Sequence, residues 1–385
     1  MISVPDELFD YAVSVYRQLH QIPEIGFDLY ETVKLVAKEL DALGIPYTDR
    51  YGKCSLVAQI GNREGVPIVG IRADMDALPV QESTGLPYAS KYNGVMHACG
   101  HDSHTAILLA TAKALKARED ELPCNVRLFF QPSEEGAVSG AKMMVDNGCM
   151  DGVDVVLMTH CDQMLDTGTL GVCAGDYMAA CIPVTIRFHG VSSHATVPEA
   201  GVDAVAMAVE SYGRLKEMVR QEAGDRMYIW SVGHFSGGEV HNVIPDLCTQ
   251  YISFRFYDMD FADRVMANAE KICNEIAESY GGSAEVLWHM STGSVHNDEK
   301  LAEQFWNIMS HAEEVKLQRI APKKSSEDFS WYLTKAPGLF FRYGSRNEAK
   351  GCVAAPHRPD FCLDEAGMRS AISGFINFVM EFNRC

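Results

Sequence analysis

The chain of 385 residues carries 52 Asp and Glu against 33 Lys and Arg, a formal net charge of -19. A phosphate backbone or an anionic membrane surface would be repelled, which excludes nucleic acid and membrane as expected partners. With 47% hydrophobic and 22% charged residues the composition is that of a soluble globular protein, and at roughly 150 residues per domain it predicts two or three domains.

No apolar run approaches the ~20 residues of a spanning helix. The opening MISVPDELFD lacks a basic segment followed by an apolar one, so the twelve cysteines read as reduced thiols of a cytoplasmic protein. In chain order, apolar residues at helical spacing over 31–44 predict a helix closed by Gly44. Short β-branched runs at 56–60, 66–71, 126–130 and 153–158 predict strands, with helices at 105–117 and 141–147 between them. Strands alternating with helices point to βαβ units around a largely parallel sheet.

From about residue 181 the rhythm changes. Strand 182–189, helix 202–219, strands 227–235 and 247–256, helix 261–279 and strand 284–290 follow the βαββαβ order of a ferredoxin-like α+β unit. The expected organisation is an α/β domain of residues 1–180 and 294–385, with residues 181–293 inserted. After residue 295 a helix, a strand at 338–343 and a closing helix at 364–382 complete the first domain.

The sharpest local feature is MHACGHDSHT, where Cys99, His101 and His104 lie within six residues beside His97 and Asp102. Thiolate and imidazole are the ligands that hold zinc and its neighbours, and carboxylates commonly orient them. Further metal-type side chains fall at predicted strand ends: Asp74 and Asp76 after 66–71, Glu134 and Glu135 after 126–130, and His160 after 153–158. Ligands of open α/β sheets bind at the carboxyl ends of strands. Adjacent glutamates cannot easily point the same way, so one can coordinate a cation while the other faces water as a general base. Gly-containing GAVSGA beyond them suits a close backbone approach.

HQIPEIGF, IRADMDALP, MHACGHDSHT, FQPSEEG, His160, SSHATVP, NVIP, SSEDFSWYL and APHRPDF, in this order from His20 to Asp364, resemble the M20 metallopeptidases. The resemblance is to the amidohydrolase branch: hippurate hydrolases, indole-acetyl-amino-acid hydrolases and N-acyl-amino-acid amidohydrolases. It implies a catalytic domain with two divalent metal ions and an inserted lid domain through which the chain forms a homodimer. The implied metal ligands are Cys99, His101, Glu135, His160 and His357, with Glu134 as general base. Five side chains for two ions imply a bridging ligand, a role a thiolate can fill. His194, Asn242 and Arg255 are implied at the substrate, and a guanidinium is a natural clamp for a carboxylate.

Where broader members carry His-x-Asp-x-x-Pro, this chain has Asp74, Asp76 and Pro79, so the usual first histidine is absent and both aspartates are expected to support the ligands. Other departures are Ser103 for a glycine, Glu199 for a histidine and Cys161-Asp162 for an aliphatic-aromatic pair. Softness favours zinc, and the resemblance admits Mn, Ni or Co. The implied reaction is hydrolysis of an N-acyl amino acid to a carboxylic acid and an amino acid. The alternatives are a dipeptidase or aminopeptidase, with Asp162 or Glu199 answering the substrate ammonium, and a non-catalytic metal-dependent binding protein. His20 is expected to pack or support, His97 and His104 to support the loop. His189, His234, His241, His289, His296 and His311 read as structural, and Cys124, Cys149, Cys161 and Cys173 as small core or loop residues.

Overall fold

The computed structural model describes residues 1–289 and 292–382, and these form two compact units. Residues 1–177, 296–322 and 328–385 make the first, residues 178–295 and 323–327 the second. Met290, the expected end of a strand, lies outside the described residues.

The first unit is built on an eight-stranded sheet in the order Tyr47–Thr48, Leu56–Ile60, Asn125–Gln131, Ile68–Asp74, Val155–Asp166, Gly338–Arg346, Thr169–Val172, Lys316–Arg319. Four of its seven neighbouring pairs are parallel. The central strands are buried on both faces and read as nearly unbroken apolar runs, such as Ile68–Asp74. Helices Asp6–His20, His101–Lys116 and Gly367–Met380 pack together on the sheet. His101–Lys116 buries nearly its whole circumference up to Ala112, and the stretch Thr105–Ala112 accordingly carries no charged residue.

Several elements depart from the sequence reading. Helix Asp6–His20 and short strands such as Thr169–Val172 and Lys316–Arg319 have no counterpart in it. The strand expected to stop at residue 158 runs on as Val155–Asp166, so His160 lies inside a strand and not beyond its end. Thr159, His160, Cys161 and Asp162 interrupt the apolar pattern, yet pairing with Gly338–Arg346 carries the strand through them.

The second unit has a four-stranded antiparallel sheet in the order Tyr228–Gly237, Leu247–Phe256, Ala180–His189, Ser283–Trp288. Helices Ala204–Ala223 and Met259–Tyr280 pack against each other and the sheet. Each is capped by an aspartate: Asp203 accepts from Val205 N and Ala206 N, and Asp258 from Phe261 N. The alternating burial of Leu247–Phe256 directs Cys248, Gln250, Ile252, Phe254 and Phe256 into the interior.

Candidate metal centre

Strands Ile68–Asp74 and Asn125–Gln131 run parallel, so Asp74 and the segment after Gln131 emerge at the same end of the sheet. There Asp76 holds the glutamate pair: its Oδ1 accepts from Glu134 N at 3.0 Å and its Oδ2 from Glu135 N at 3.0 Å. The turn before them is tight, with Ser133 at φ 52. A Cβ on Gly140 would lie 1.7 Å from Pro132 O, so only glycine lets the two backbone segments meet.

The loop carrying Cys99 turns into its helix through Gly100 at φ 86, where a Cβ would sit 2.6 Å from Cys161 Sγ. That turn places Cys99 Sγ 3.4 Å from His160 Nε2. His160 Nδ1 donates to Cys161 O at 2.8 Å, which leaves the Nε2 lone pair facing the thiol. Burial, with Arg342 nearby, holds the His160 pKa well below the usual range, so the ring is a neutral donor.

His101 lies deeper. Its Nδ1 is 3.4 Å from Asp76 Oδ1, and its Nε2 is 3.8 Å from Asp74 Oδ2 and 4.0 Å from Glu134 Oε2. Burial alone would lower its pKa, but Asp74, Asp76 and Glu135 outweigh it and carry the ring up to about 10. The carboxylates thus favour positive charge here, whether proton or cation. Across from it His357, at φ 68 with its N–H bonded to Ala98 O at 2.7 Å, brings Nε2 to 3.0 Å from Glu135 Oε1. Although burial opposes it, His357 holds Glu135 below the ordinary carboxylate range.

Ligand atoms of Cys99, His101 and His160 lie within 4.8 Å of one another, as do those of Cys99, Glu135 and His357, and those of His101, Glu134 and Glu135. The first two groups share Cys99. Both ring nitrogens of His101 are buried without a hydrogen bond, an expensive arrangement unless another partner completes it. Burial and Glu135 push the Cys99 thiol well above its usual pKa, and a cation would offset both effects. The donor set of thiol, imidazoles and carboxylates fits a divalent-metal centre.

Asp74 stands behind these residues. Its Oδ1 accepts from His104 Nδ1 at 2.6 Å, and its Oδ2 from the wholly buried Arg72 at 2.7 Å. His104 Nε2 in turn accepts from Cys161 N at 3.0 Å, tying the loop to the His160 strand. His20 Nδ1 is 2.6 Å from Asp102 Oδ2. His97 is buried with neither ring nitrogen hydrogen-bonded. Sequence reasoning assigned no role to Arg72 or Asp328, although both lie in quoted motifs, IRADMDALP and SSEDFSWYL. Their pairing, Arg72 Nη2 to Asp328 Oδ1 at 2.7 Å, shows only in the tertiary structure. Cys161, read as a core residue, is buried but also touches Cys99 O at 3.2 Å through its thiol.

In the second unit, His194 pairs with Val243 on a two-stranded ribbon and Ala195 N bonds Asn242 O at 3.0 Å, so His194 and Asn242 are neighbours. Both are exposed. Arg255 lies on Leu247–Phe256, its Nη1 3.2 Å from Lys324 O and 3.5 Å from Ser326 Oγ.

Comparison with known proteins agrees with this chemistry. N-acetyl-L-cysteine deacetylase of Bacillus subtilis (strain 168) is 34% identical over 362 residues, covering 93% of this chain and 85% of that protein. IAA-amino acid hydrolase ILR1-like 4 of Arabidopsis thaliana is 33% identical over 366 residues, covering 94% and 83%. The crystal structure of Bacillus subtilis YXEP protein, described as a dinuclear metal binding peptidase from the M20 family, superposes with a TM-score of 0.85 at 31% identity over 98% of both chains. The model of peptidase family M20/M25/M40 matches residues 70–381, and the chain belongs to that family.

Proposed function

We propose that the protein is a metal-dependent amidohydrolase that cleaves N-acyl amino acids to a carboxylic acid and a free amino acid. The observation that carries this reading is the pair of ligand groups meeting at Cys99, with a second glutamate beside them. Cys99, His101 and His160 would hold one divalent ion, Cys99, Glu135 and His357 the other; the thiol–imidazole set favours Zn, and the family resemblance admits Mn, Ni or Co. When bound, the ions supply Lewis acidity, which polarises the amide carbonyl and acidifies water.

The chain's own residues do the rest. Glu134, fixed through its backbone N–H by Asp76, takes the proton of the attacking water at its carboxylate and returns it to the departing amine nitrogen. Asp74 holds His104 and, with Asp76, sets the charge at His101. In the second unit, read as an inserted lid and dimerisation domain, the Arg255 guanidinium suits the substrate carboxylate, and His194 and Asn242 offer polar contacts to the acyl carbonyl. The edge strand Tyr228–Gly237, exposed over much of its length, suits pairing with a second copy. Eleven described cysteines are free thiols, and a cytoplasmic setting would keep Cys99 available to metal.

Support for the acyl-amino-acid substrate comes from relatives named N-acetyl-L-cysteine deacetylase and IAA-amino acid hydrolase. The test is a rate comparison of N-acetyl and N-benzoyl amino acids with matching dipeptides, in Mn and in Zn, for the native chain and Glu134→Gln. N-acyl substrates should be preferred, and the variant should lose about 10²–10⁴-fold in kcat with bound metal retained. Turnover of dipeptides alone, or near-native activity of the variant, would overturn this reading.

A further inference from the structure

The segment that delivers His357 is closed at its base by two cysteines. Cys352 Sγ and Cys362 Sγ lie 3.3 Å apart and share a hydrogen bond. Both ends are held by the surrounding fold. Cys352 and Asn347 exchange two backbone hydrogen bonds of 2.9 Å, and Cys362 O accepts from Gln163 Nε2 at 2.8 Å. Between them the chain is tied to Ala98 through His357 N and to Ser83 through Pro359 O. Cys352 is buried and Cys362 half-exposed, and residues 355–360 are open to solvent, so a small oxidant can reach the outer sulfur.

We propose that Cys352 and Cys362 are an oxidisable dithiol, a modification site for hydrogen peroxide, which closes into an intrachain disulfide around His357. A disulfide requires a sulfur separation of about 2.05 Å, so the pair must close by only about 1.2 Å. The hydrogen bond with Cys352 pulls the Cys362 thiol down to about 7, and the same interaction pushes Cys352 up, which marks Cys362 as the attacking sulfur. Its thiolate displaces hydroxide from the peroxide O–O bond, the hydroxide takes a proton to become water, and a sulfenic acid remains. The Cys352 sulfur then attacks the Cys362 sulfur, loses its proton, and expels the hydroxyl as a second water. Two thiols and one peroxide thus become one disulfide and two waters. Nothing in this step depends on the identity of the hydrolysed substrate.

Tryptic digestion isolates the pair, because cleavage after Lys350 and Arg369 leaves both cysteines in one peptide and Arg358 is protected by Pro359. The folded full-length protein, reduced, desalted and titrated with hydrogen peroxide, should yield peptide 351–369 lighter by two hydrogens and refractory to alkylation, reverting with dithiothreitol. In Cys352→Ser, Cys362 should stop at a sulfenic acid that dimedone traps; in Cys362→Ser no ring should form. Circular dichroism of both variants checks that they fold. A peptide that stays fully alkylated at peroxide levels that already oxidise other thiols, a ring that forms only in denaturant, or a disulfide between chains through Cys362 would each overturn the proposal.

Discussion

Replacing Arg72 with methionine tests whether the metal centre stands on a buried ionic frame. Arg72 is 1% exposed, and its guanidinium donates to Asp74 Oδ2 at 2.7 Å, Asp328 Oδ1 at 2.7 Å and Gln131 Oε1 at 2.8 Å among other contacts. Removing one partner of a buried ion pair costs about 3–5 kcal/mol, because the remaining charge keeps its desolvation penalty without compensation. Here the lower end applies. Asp328 would retain Gln131 Nε2 at 2.9 Å and Ser139 Oγ at 2.7 Å, and Asp74 would retain His104 at 2.6 Å. The expected loss is therefore about 3 kcal/mol, read by equilibrium urea unfolding followed by circular dichroism. Arg72→Lys should recover part of it, since the charge remains but the three-pointed fork does not. Asp74, which His101, His104 and Arg72 together hold well below the usual carboxylate range against the effect of burial, should also titrate higher in the methionine variant. A loss under about 1 kcal/mol would refute the reasoning, because it would mean the two aspartates are satisfied without the guanidinium.

Three further outcomes follow from the same geometry. Burial opposes protonation of His20, but hydrogen bonds to Asp102 and Glu82 win and raise its pKa from 6.5 to about 9; that stabilisation is fully present below pH 6.5 and is lost as pH rises toward 9. The loss should approach about 3 kcal/mol, and His20→Asn should flatten the unfolding free energy over that window; an unchanged slope would count against it. Cys99→Ala should strip metal from both ligand groups while His357→Ala spares the one with His101 and His160, as metal analysis of the dialysed proteins would show; equal losses in the two variants would contradict a shared thiolate. Gly100→Ala must place a side chain at φ 86 and 2.6 Å from Cys161 Sγ, so it should cost about 1–3 kcal/mol and weaken metal retention; a thermal midpoint like that of the native chain would argue that the turn relaxes freely.

Much of this molecule was legible in its sequence because the signals are local. Apolar runs bounded by turns located the central strands, and the changing period over residues 181–289 matched the strand and helix order found there. MHACGHDSHT and SEEG announced the metal chemistry, because thiol, imidazole and carboxylate at close spacing have few other uses. What stayed hidden depends on partners far along the chain. His160 reads as a residue past a strand, yet the neighbouring strand Gly338–Arg346 continues the hydrogen-bond ladder through it. Arg72 and Asp328 are separated by 256 positions and find each other only when the sheet is assembled. Cys352 and Cys362 become a pair only because the segment between them folds back, tied to Ala98 and Ser83. The sequence by itself thus determined which chemical groups are available and the approximate order of strands and helices that carries them, since periodicity and side-chain chemistry are properties of short stretches. Only the tertiary structure decided which groups share a charge, a proton or an ion, because those energies depend on separations of a few ångströms in a buried setting, and chain order does not encode them.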